Sequence, residues 1–226
     1  HTASHTSLVG GGTNPKPGEV TLAHRGVLFM DEFPEFERRS LDSLRQPLED
    51  CCVSISRVQS TATFPADFIL VAALNPYRGS EDGRTDLARA MQETYKNKVS
   101  GPIIDRIDLW LEVPHVPYET LTKLTTHTDE TKQAREQILS ARNKQYSRLN
   151  SNHRCNSGMS ARDIEEVIAL SEDVKDLLKT SSAKLNLSPR GYHRLIKVAR
   201  TIADLDKKDS IEPSHVLEAL QYRVTI

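Results

Sequence analysis

The residues that decide the fold are Gly26-Val27-Leu28-Phe29-Met30-Asp31-Glu32-Phe33, in which four consecutive apolar side chains end in two carboxylates. A run that is apolar on every side predicts a strand buried on both faces, as in a parallel sheet covered by helices. Ligands of such sheets bind beyond the carboxyl ends of the strands, where Asp31 and Glu32 would lie. Carboxylate oxygens there could hold Mg²⁺, directly or through water, and a second carboxylate could orient or deprotonate a water molecule. The alternative is that both acids only decorate the start of the next helix, where the helix dipole favours them.

The composition sets broad limits on the class of protein. The 226 residues allow one large domain or two modest ones, and 37% hydrophobic with 27% charged residues is typical of a soluble globular protein. A net charge of −1 gives no overall attraction to nucleic acid or to a membrane surface. No apolar run approaches the length of a membrane span and no secretory signal opens the chain, so we expect no membrane partner. The three cysteines show no metal-ligand spacing, and they favour a reduced, cytoplasmic setting.

The first half of the chain predicts an α/β layer. Residues 1–18 are rich in Gly, Ser, Thr and Pro, which indicates a loop or open hairpin and not a core element. Their glycines do not form a phosphate-binding loop, because no Gly-Lys-Ser or Gly-Lys-Thr occurs anywhere in the chain. The elements expected next are an amphipathic helix of about three turns over 36–48, a β-hairpin pairing 53–57 with 61–64, a second buried strand at 68–73, a surface insertion at 77–100 with a short helix near 87–91, and a third strand at 109–113.

From about residue 118 the pattern predicts helices only. Residues 129–149 are highly charged and predict a mostly solvated helix that could connect two bodies. Residues 160–226 predict a compact helical domain, in which Ser188 caps a helix that carries Pro189 in its first turn, and a last helix begins near Pro213. We therefore expect an α/β part at 1–117, a charged helical connector at 118–155 and an α-helical domain at 156–226.

Two polar side chains in the first half are candidates for chemistry. Asn75 follows the second buried strand, and its amide could hydrogen-bond a water and a phosphate oxygen together. The alternative is a turn-forming Asn before Pro76. Arg106 has the permanently charged, forked guanidinium that suits a transferring phosphoryl group. The alternative there is an ion pair with Asp105 or Asp108, which the spacing alone favours.

Further arginines could meet anions. Arg190 lies in the first turn of the Ser188-capped helix, where a cation opposes the helix dipole and is therefore not a stabilising cap. Arg194, one turn on, would share its face. Both could equally be ordinary exposed helical arginines. Arg57 beside the hairpin, together with the scattered basic residues at 132–154, could contact the phosphates of DNA, although such a run usually forms only a solvated helix face. Arg200 is expected to serve surface or packing, and the cysteines 51 and 52 lack a nearby base that would make either a nucleophile.

Several motifs in this order resemble one known family. They are residues 18–36, 44–50, 53–57, 72–76, 100–108, 188–194 and 198–205. Together they look like the magnesium chelatase-like AAA+ ATPases of the ComM/YifB type, and the match covers almost the whole chain. The resemblance implies the C-terminal part of a P-loop AAA+ core, a mostly parallel sheet flanked by helices with a β-hairpin insertion, followed by an all-α lid domain.

The resemblance also implies roles for individual residues. Asp31 and Glu32 would be the Walker B acids, which hold Mg²⁺ and activate water. Asn75 would be sensor 1, and Arg106 would be the arginine finger. Arg190 would be sensor 2, and Arg194 would lie beside Arg190 at the nucleotide. The implied cofactors are ATP and Mg²⁺, and the implied partner is a neighbouring subunit in a hexameric ring. Related ring motors point the hairpin at 51–65 into the central pore, and ComM-type members are similar to helicases that remodel single-stranded or branched DNA in competence and recombination.

Two departures from the family pattern matter. The Walker A loop, which should precede residue 1, is absent, so the chain is expected to be a fragment that alone binds ATP weakly and hydrolyses none. Many relatives carry a cysteine-rich insertion after the sensor 1 segment, but here a charged stretch replaces it and no metal-binding loop is expected. Two other functions stay open: a chelatase-like or chaperone-like ATPase whose partner is a protein, and a non-catalytic interaction module built on the helical lid.

Overall fold

The computed structural model describes residues 3–12, 15–56, 61–74, 99–114 and 128–223. The chain divides into two compact units, His1–Ile107 and Asp108–Thr225, which we call the α/β unit and the helical unit. The three-part division at residues 117 and 155 stays a prediction. None of the helices in the described ranges is long and apolar enough to cross a membrane.

The α/β unit begins with regular structure where the sequence indicated a loop. Helix α1 (His5–Val9) buries Leu8 and Val9. The expectation that this segment contributes nothing to the core was therefore wrong, whereas the open hairpin that the sequence also allowed is present, because Gly10–Gly11 pairs antiparallel with Lys16–Pro17. Gly10 has a φ of 91°, and a side chain on Gly18 would collide with the Gly10 nitrogen at 2.3 Å, so the close approach of the two chains depends on glycine. The first elements are α1 (His5–Val9), β1 (Gly10–Gly11), β2 (Lys16–Pro17) and α2 (Glu19–Leu22).

A two-stranded parallel sheet lies at the centre of the unit. Strands β3 (Val27–Met30) and β6 (Ile69–Ala72) pair in parallel, with Val27 opposite Ile69 and Met30 opposite Ala72. The parallel pairing expected from the two apolar runs is therefore present. The strand is not buried on both faces, because Val27 is 57% exposed and Phe29 is 62% exposed, while Leu28 and Met30 are buried. The prediction of a doubly buried strand was wrong, since the described residues cover only one face of this sheet.

The segment after β3 is more broken than its periodicity predicted. A 3₁₀ turn (Phe33–Glu35) precedes two short helices, α3 (Arg38–Ser43) and α4 (Arg45–Asp50), which meet at the fully buried Leu44. The prediction of one continuous helix was therefore wrong, although Phe36, Leu41 and Leu44 are the side chains that face the core.

The remaining elements of the unit are strands and one short helix. Strands β4 (Cys52–Ser56) and β5 (Thr61–Pro65) pair antiparallel, as expected of residues 53–57 and 61–64, and α5 (Gly101–Ile104) follows later in the chain. The predicted insertion at 77–100, with its helix near 87–91, lies outside the described residues except for 99 and 100.

Residues 109–113 begin the helical unit and do not form the predicted third strand. Residues 109–113 have no strand partner among the residues that the structure describes, and Leu109, Leu111 and Val113 are 50%, 71% and 84% exposed. An apolar alternation alone cannot make a strand where no neighbouring strand supplies hydrogen bonds.

The helical unit matches its sequence pattern closely. Ser188 Oγ accepts a hydrogen bond from the Gly191 nitrogen at 3.1 Å, and Pro189 opens the helix, as predicted. The amphipathic faces meet in one core that includes Val174, Leu195 and Val216. The helices are α6 (Thr128–Arg148), α7 (Ala161–Val167), α8 (Glu172–Lys184), α9 (Pro189–Leu205) and α10 (Pro213–Gln221), with a 3₁₀ turn at Asn156–Gly158.

One buried carboxylate connects three parts of the helical unit. Asp204 is fully buried on α9 and accepts hydrogen bonds from Arg148 of α6, from Asn156 Nδ2 at 2.9 Å and from Arg200 Nη2 at 3.0 Å. Arg200 also donates to the carbonyl oxygens of Lys208 and Asp209. Arg200 therefore serves packing, as expected from the sequence, since its charge is paired inside the unit.

Candidate functional site

The two carboxylates at the end of β3 lie at the carboxyl edge of the parallel sheet. The ladder continues past both strands, because the Ala73 nitrogen donates to the Met30 oxygen and the Phe33 nitrogen donates to the Ala73 oxygen, each at 2.9 Å. Asp31 and Glu32 lie between these two bonds and both are exposed. The fold thus presents two acids side by side at the edge where parallel sheets bind ligands.

The backbone of Glu32 is held in an uncommon conformation. Its φ and ψ are 50° and 44°, in the left-handed region, and its nitrogen donates to Asp31 Oδ1 at 2.9 Å. A residue with a Cβ pays a cost for this conformation, and such residues concentrate at functional sites. Glu32 precedes the 3₁₀ turn but makes no side-chain capping hydrogen bond to it. The alternative considered for these acids, a favourable interaction with the dipole of the next helix, does not require such a bond and stays open.

Arg106 ends the short segment that begins with α5. Ile103 and Ile104 anchor this segment in the core. The Arg106 side chain is only 11% exposed. Its Nη1 donates to the Pro102 oxygen at 2.6 Å, and its Nη2 pairs with Glu49 on α4. The ion pair therefore reaches across the unit to Glu49, instead of to the sequence neighbours that the spacing favoured.

A second contact joins the same two segments. Ser100 Oγ donates to Asp42 Oδ1 at 2.6 Å, and Arg45 Nη2 lies 2.9 Å from Ser100 Oγ and 2.8 Å from Asp42 Oδ1. Arg45 and Glu49 are one turn apart on α4, so this helix holds both ends of residues 100–106. Sequence reasoning missed Glu49, although Arg45 and Glu49 both lie in one of the motifs that carried the family resemblance.

Arg190 and Arg194 lie at the amino end of α9 in the helical unit. Arg190 is exposed in the first turn. Arg194 is 15% exposed, and its Nη1 lies 2.5 Å from Asp108 Oδ1. Asp108 is thus a partner of Arg194, and this contact had no signal in local spacing because the two residues are 86 positions apart.

The remaining predicted site residues cannot be placed. Asn75 and Arg57 lie outside the described residues. Asp31, Glu32 and Arg106 belong to the α/β unit, whereas Arg190 and Arg194 belong to the helical unit. The convergence of all these side chains on one ligand stays a prediction.

The donor set at the sheet edge fits Mg²⁺ bound mainly by a phosphate ligand. Asp31 and Glu32 offer hard oxygens. Within the described ranges no group of three or more His, Cys, Asp or Glu residues could enclose a metal ion. Mg²⁺ at nucleotide sites uses one or two carboxylates together with substrate phosphates and water, so a larger cluster is not required.

Cysteine chemistry is disfavoured by the surroundings of Cys51. Burial, and then the negative charge of Asp67, raise the pKa of the Cys51 thiol above its ordinary value. A raised pKa leaves less thiolate at neutral pH, and the thiolate is the nucleophilic form. The sequence expectation that Cys51 is not a nucleophile agrees with this environment.

Comparison with known proteins gives the family. The model of the magnesium chelatase subunit ChlI matches residues 1–121, and that of the ChlI C-terminal region matches residues 128–223. The competence protein ComM of Haemophilus influenzae is 44% identical over the full chain, and the uncharacterized protein YifB of Escherichia coli is 41% identical over 99% of it; the match covers 44% of each. The DNA replication licensing factor Mcm6 of Drosophila melanogaster is 31% identical over 41% of this chain and 11% of Mcm6.

The parallel sheet with acids at its carboxyl edge, and the helices that accompany it, fit a fragment of an AAA+-like ATPase. The chain belongs to the magnesium chelatase ChlI family and is of the ComM/YifB type. It spans less than half the length of these curated relatives.

Proposed function

We propose that the full-length protein is a cytoplasmic ATPase that couples hydrolysis to remodelling of DNA, and that this chain supplies the acids and arginines of its nucleotide site. The observation that carries the proposal is the exposed pair Asp31 and Glu32 at the carboxyl edge of β3 and β6, with Glu32 in a left-handed conformation. The family supports nucleotide and Mg²⁺ use in general.

Each residue has a distinct part in the proposed reaction. Asp31 would hold Mg²⁺, directly or through water, and Glu32 takes the proton from the attacking water. Asn75 positions that water through its amide. Arg106 stabilises charge on the transferring phosphoryl group of a neighbouring subunit. When bound, Mg²⁺ would neutralise negative charge on the phosphate oxygens.

The helical unit contributes the second part of the site. Arg190 is exposed and is proposed to contact the nucleotide as sensor 2, with Arg194 supporting it one turn further on α9. The antiparallel pair β4 and β5 is proposed to act as the pore hairpin of a hexameric ring, with Arg57 contacting DNA phosphates.

The 226 residues contain no Gly-Lys-Ser or Gly-Lys-Thr phosphate loop. We propose that the chain alone binds ATP weakly and hydrolyses none, because the backbone amides and lysine of such a loop are the main cradle for the phosphates. Calorimetric titration of the chain with Mg-ATP should give no tight complex. Tight binding would require a phosphate cradle elsewhere in the chain and would refute the proposal.

The test of the reaction is Glu32→Gln in the full-length protein. Loss of the general base should lower ATP turnover at least about a hundredfold while ATP binding is kept. Glu37→Gln is the matched control, because Glu37 is an exposed acid five residues later without a capping hydrogen bond, and it should leave turnover unchanged. Turnover that survives Glu32→Gln would remove this residue from the mechanism.

The DNA partner is supported by the partial similarity to the replication licensing factor Mcm6. The alternatives are an ATPase that acts on a protein partner, which the match to a magnesium chelatase subunit favours, and a non-catalytic module. Binding of the full-length protein to single-stranded and branched DNA should weaken steeply as salt rises, since phosphate contacts release counterions. No salt-dependent binding would favour the protein partner. The absence of ATP turnover in the full-length protein, with no change on Asp31→Asn, would favour the module.

A further inference from the structure

The guanidinium of Arg106 is held by its own chain. The Arg106 side chain is 11% exposed, its Nη1 donates to the Pro102 oxygen at 2.6 Å, and its Nη2 pairs with Glu49. Both partners belong to the α/β unit, so the charge is already compensated within one subunit. An arginine that acts on a neighbouring subunit has to bring its donors to that subunit's phosphate. In the observed position, Arg106 has to leave Glu49 before it can do so.

The support beneath Arg106 does not depend on Glu49 alone. Ser100, at the other end of the segment, contacts Asp42 and Arg45, and Ile103 is fully buried. These contacts anchor the backbone of residues 100–106 to α3 and α4. The Glu49 carboxylate, which is 35% exposed, therefore restrains mainly the end of the Arg106 side chain. A change at Glu49 can release the guanidinium while the segment stays in place.

We propose that Glu49 is a positioning residue that holds Arg106 in an inactive, self-paired position, from which the guanidinium is released when a neighbouring nucleotide competes for it. The inference rests on the proposed function of Arg106 as an arginine finger. A phosphate carries more negative charge than one carboxylate and accepts the same forked donors, so it can displace Glu49. Glu49 then sets how readily each subunit enters the reactive state, and removing its charge raises the reactive population.

The first test measures the accessibility of Arg106 in the full-length protein by modification with phenylglyoxal and peptide mass spectrometry. Arg162, whose side chain is 85% exposed, and Arg200, at 3%, serve as internal references for fast and slow reaction. In the wild-type protein, Arg106 should react with phenylglyoxal at a rate near that of Arg200. In Glu49→Gln, its rate should rise about fivefold, because the Gln oxygen still accepts a hydrogen bond but no longer carries the negative charge that strengthens it. A wild-type rate equal to that of Arg162, or no rise in the variant, would overturn the proposal.

The second test measures ATP turnover of Glu49→Gln, of Arg106→Ala and of the double variant. Glu49→Gln should raise kcat about fivefold with little change in KM, and the rise should vanish in the Arg106→Ala background. Glu172→Gln, an exposed acid paired with Lys175 on α8, is the matched control and should change neither quantity. A fall in kcat for Glu49→Gln, or a rise that persists without Arg106, would assign Glu49 a merely structural role and overturn the proposal.

The two proposals fail in different ways. If Arg106→Ala leaves turnover unchanged, Arg106 is not the finger, and both its proposed role and the regulatory role of Glu49 are lost. If Arg106→Ala abolishes turnover but Glu49→Gln does not raise it, the ATPase proposal stands and only the positioning role of Glu49 is refuted.

Discussion

The two units of this chain complete their cores to different extents. The helical unit brings the apolar faces of α7, α8, α9 and α10 together around Leu195, which is fully buried. It also pairs the fully buried carboxylate of Asp204 with two arginines. The α/β unit leaves Val27 and Phe29 of its central strand more than half exposed. A helix satisfies its own backbone and needs only one covered stripe, whereas a parallel sheet is normally covered on both faces. The described residues therefore form a closed core in the helical unit and leave one sheet face open in the α/β unit.

The strongest test of the closed unit is Asp204→Ala. The substitution leaves Arg148 and Arg200 with an uncompensated buried charge, so we expect the free energy of unfolding to fall by about 3–5 kcal/mol. Urea-induced unfolding followed by circular dichroism measures the change. Asp176→Ala, an exposed acid on α8, is the control and should stay within about 0.5 kcal/mol. A fall in the free energy of unfolding of less than about 1 kcal/mol for Asp204→Ala would mean that water reaches Arg148 and Arg200, and that the core of the helical unit is not closed around them.

The open face is tested by two neighbours on β3. Met30 is 2% exposed and Phe29 is 62% exposed. Met30→Ala should destabilise the α/β unit by about 2–5 kcal/mol because it leaves a cavity. Phe29→Ala should cost less than about 1 kcal/mol in this chain, although it removes the larger side chain. Equal losses, measured by urea unfolding of both variants, would show that Phe29 is covered and would remove the contrast between the units.

The smallest effect concerns the ends of helices in the helical unit. Ser160 Oγ accepts a hydrogen bond from the Asp163 nitrogen at 3.1 Å, and the Asp163 carboxylate accepts one from the Ser160 nitrogen at 2.7 Å. Ser160→Ala should cost about 1 kcal/mol. Ser171 precedes α8 without a side-chain capping bond, so Ser171→Ala is the matched control and should cost much less. Thermal unfolding of the two variants gives the difference, and equal costs would contradict the capping argument.

The same cap has a pH dependence. Hydrogen bonds from the Ser160 backbone and side chain, followed by Arg154, lower the pKa of Asp163 to about 2. Because the folded pKa is below the ordinary value, this stabilisation is fully present above the ordinary pKa of an aspartate and is lost as the pH falls through about 2. An NMR titration of the Asp163 carboxyl group should show the low pKa, and Ser160→Ala should raise it. An unchanged pKa in that variant would mean that Ser160 does not hold the carboxylate.

The sequence predictions were correct where the interacting residues are close together along the chain. The Ser188 cap, the Pro189 helix start and the charged helix α6 were predicted, because capping and helical periodicity are encoded within one or two turns. The α1 helix was missed, because a segment rich in Gly, Ser and Thr carries little periodic signal. The break at Leu44 was missed since both halves keep the same apolar face.

The same distinction between local and distant interactions separates the features of the candidate site that were predicted from those that were not. Local sequence predicted that Asp31 and Glu32 end a strand, and the parallel partner expected at 68–73 lies beside it as β6. The partners of the arginines were beyond sequence reasoning, because Glu49 is 57 residues from Arg106 and Asp108 is 86 residues from Arg194. The spacing favoured Asp105 or Asp108 as the partner of Arg106, whereas the tertiary contact is with Glu49.

The sequence by itself determined where α9 and α10 begin and where the charged helix α6 lies, and it determined the family through the order of its motifs. Such features depend on hydrogen bonds and apolar periodicity within a few residues of one another. Only the tertiary structure decided that β3 is covered on one face by the described residues, that residues 109–113 have no strand partner among them, and that Arg106 is held by Glu49. Those outcomes depend on which distant segments pack together, as with Arg106 and Glu49, which are 57 residues apart along the chain.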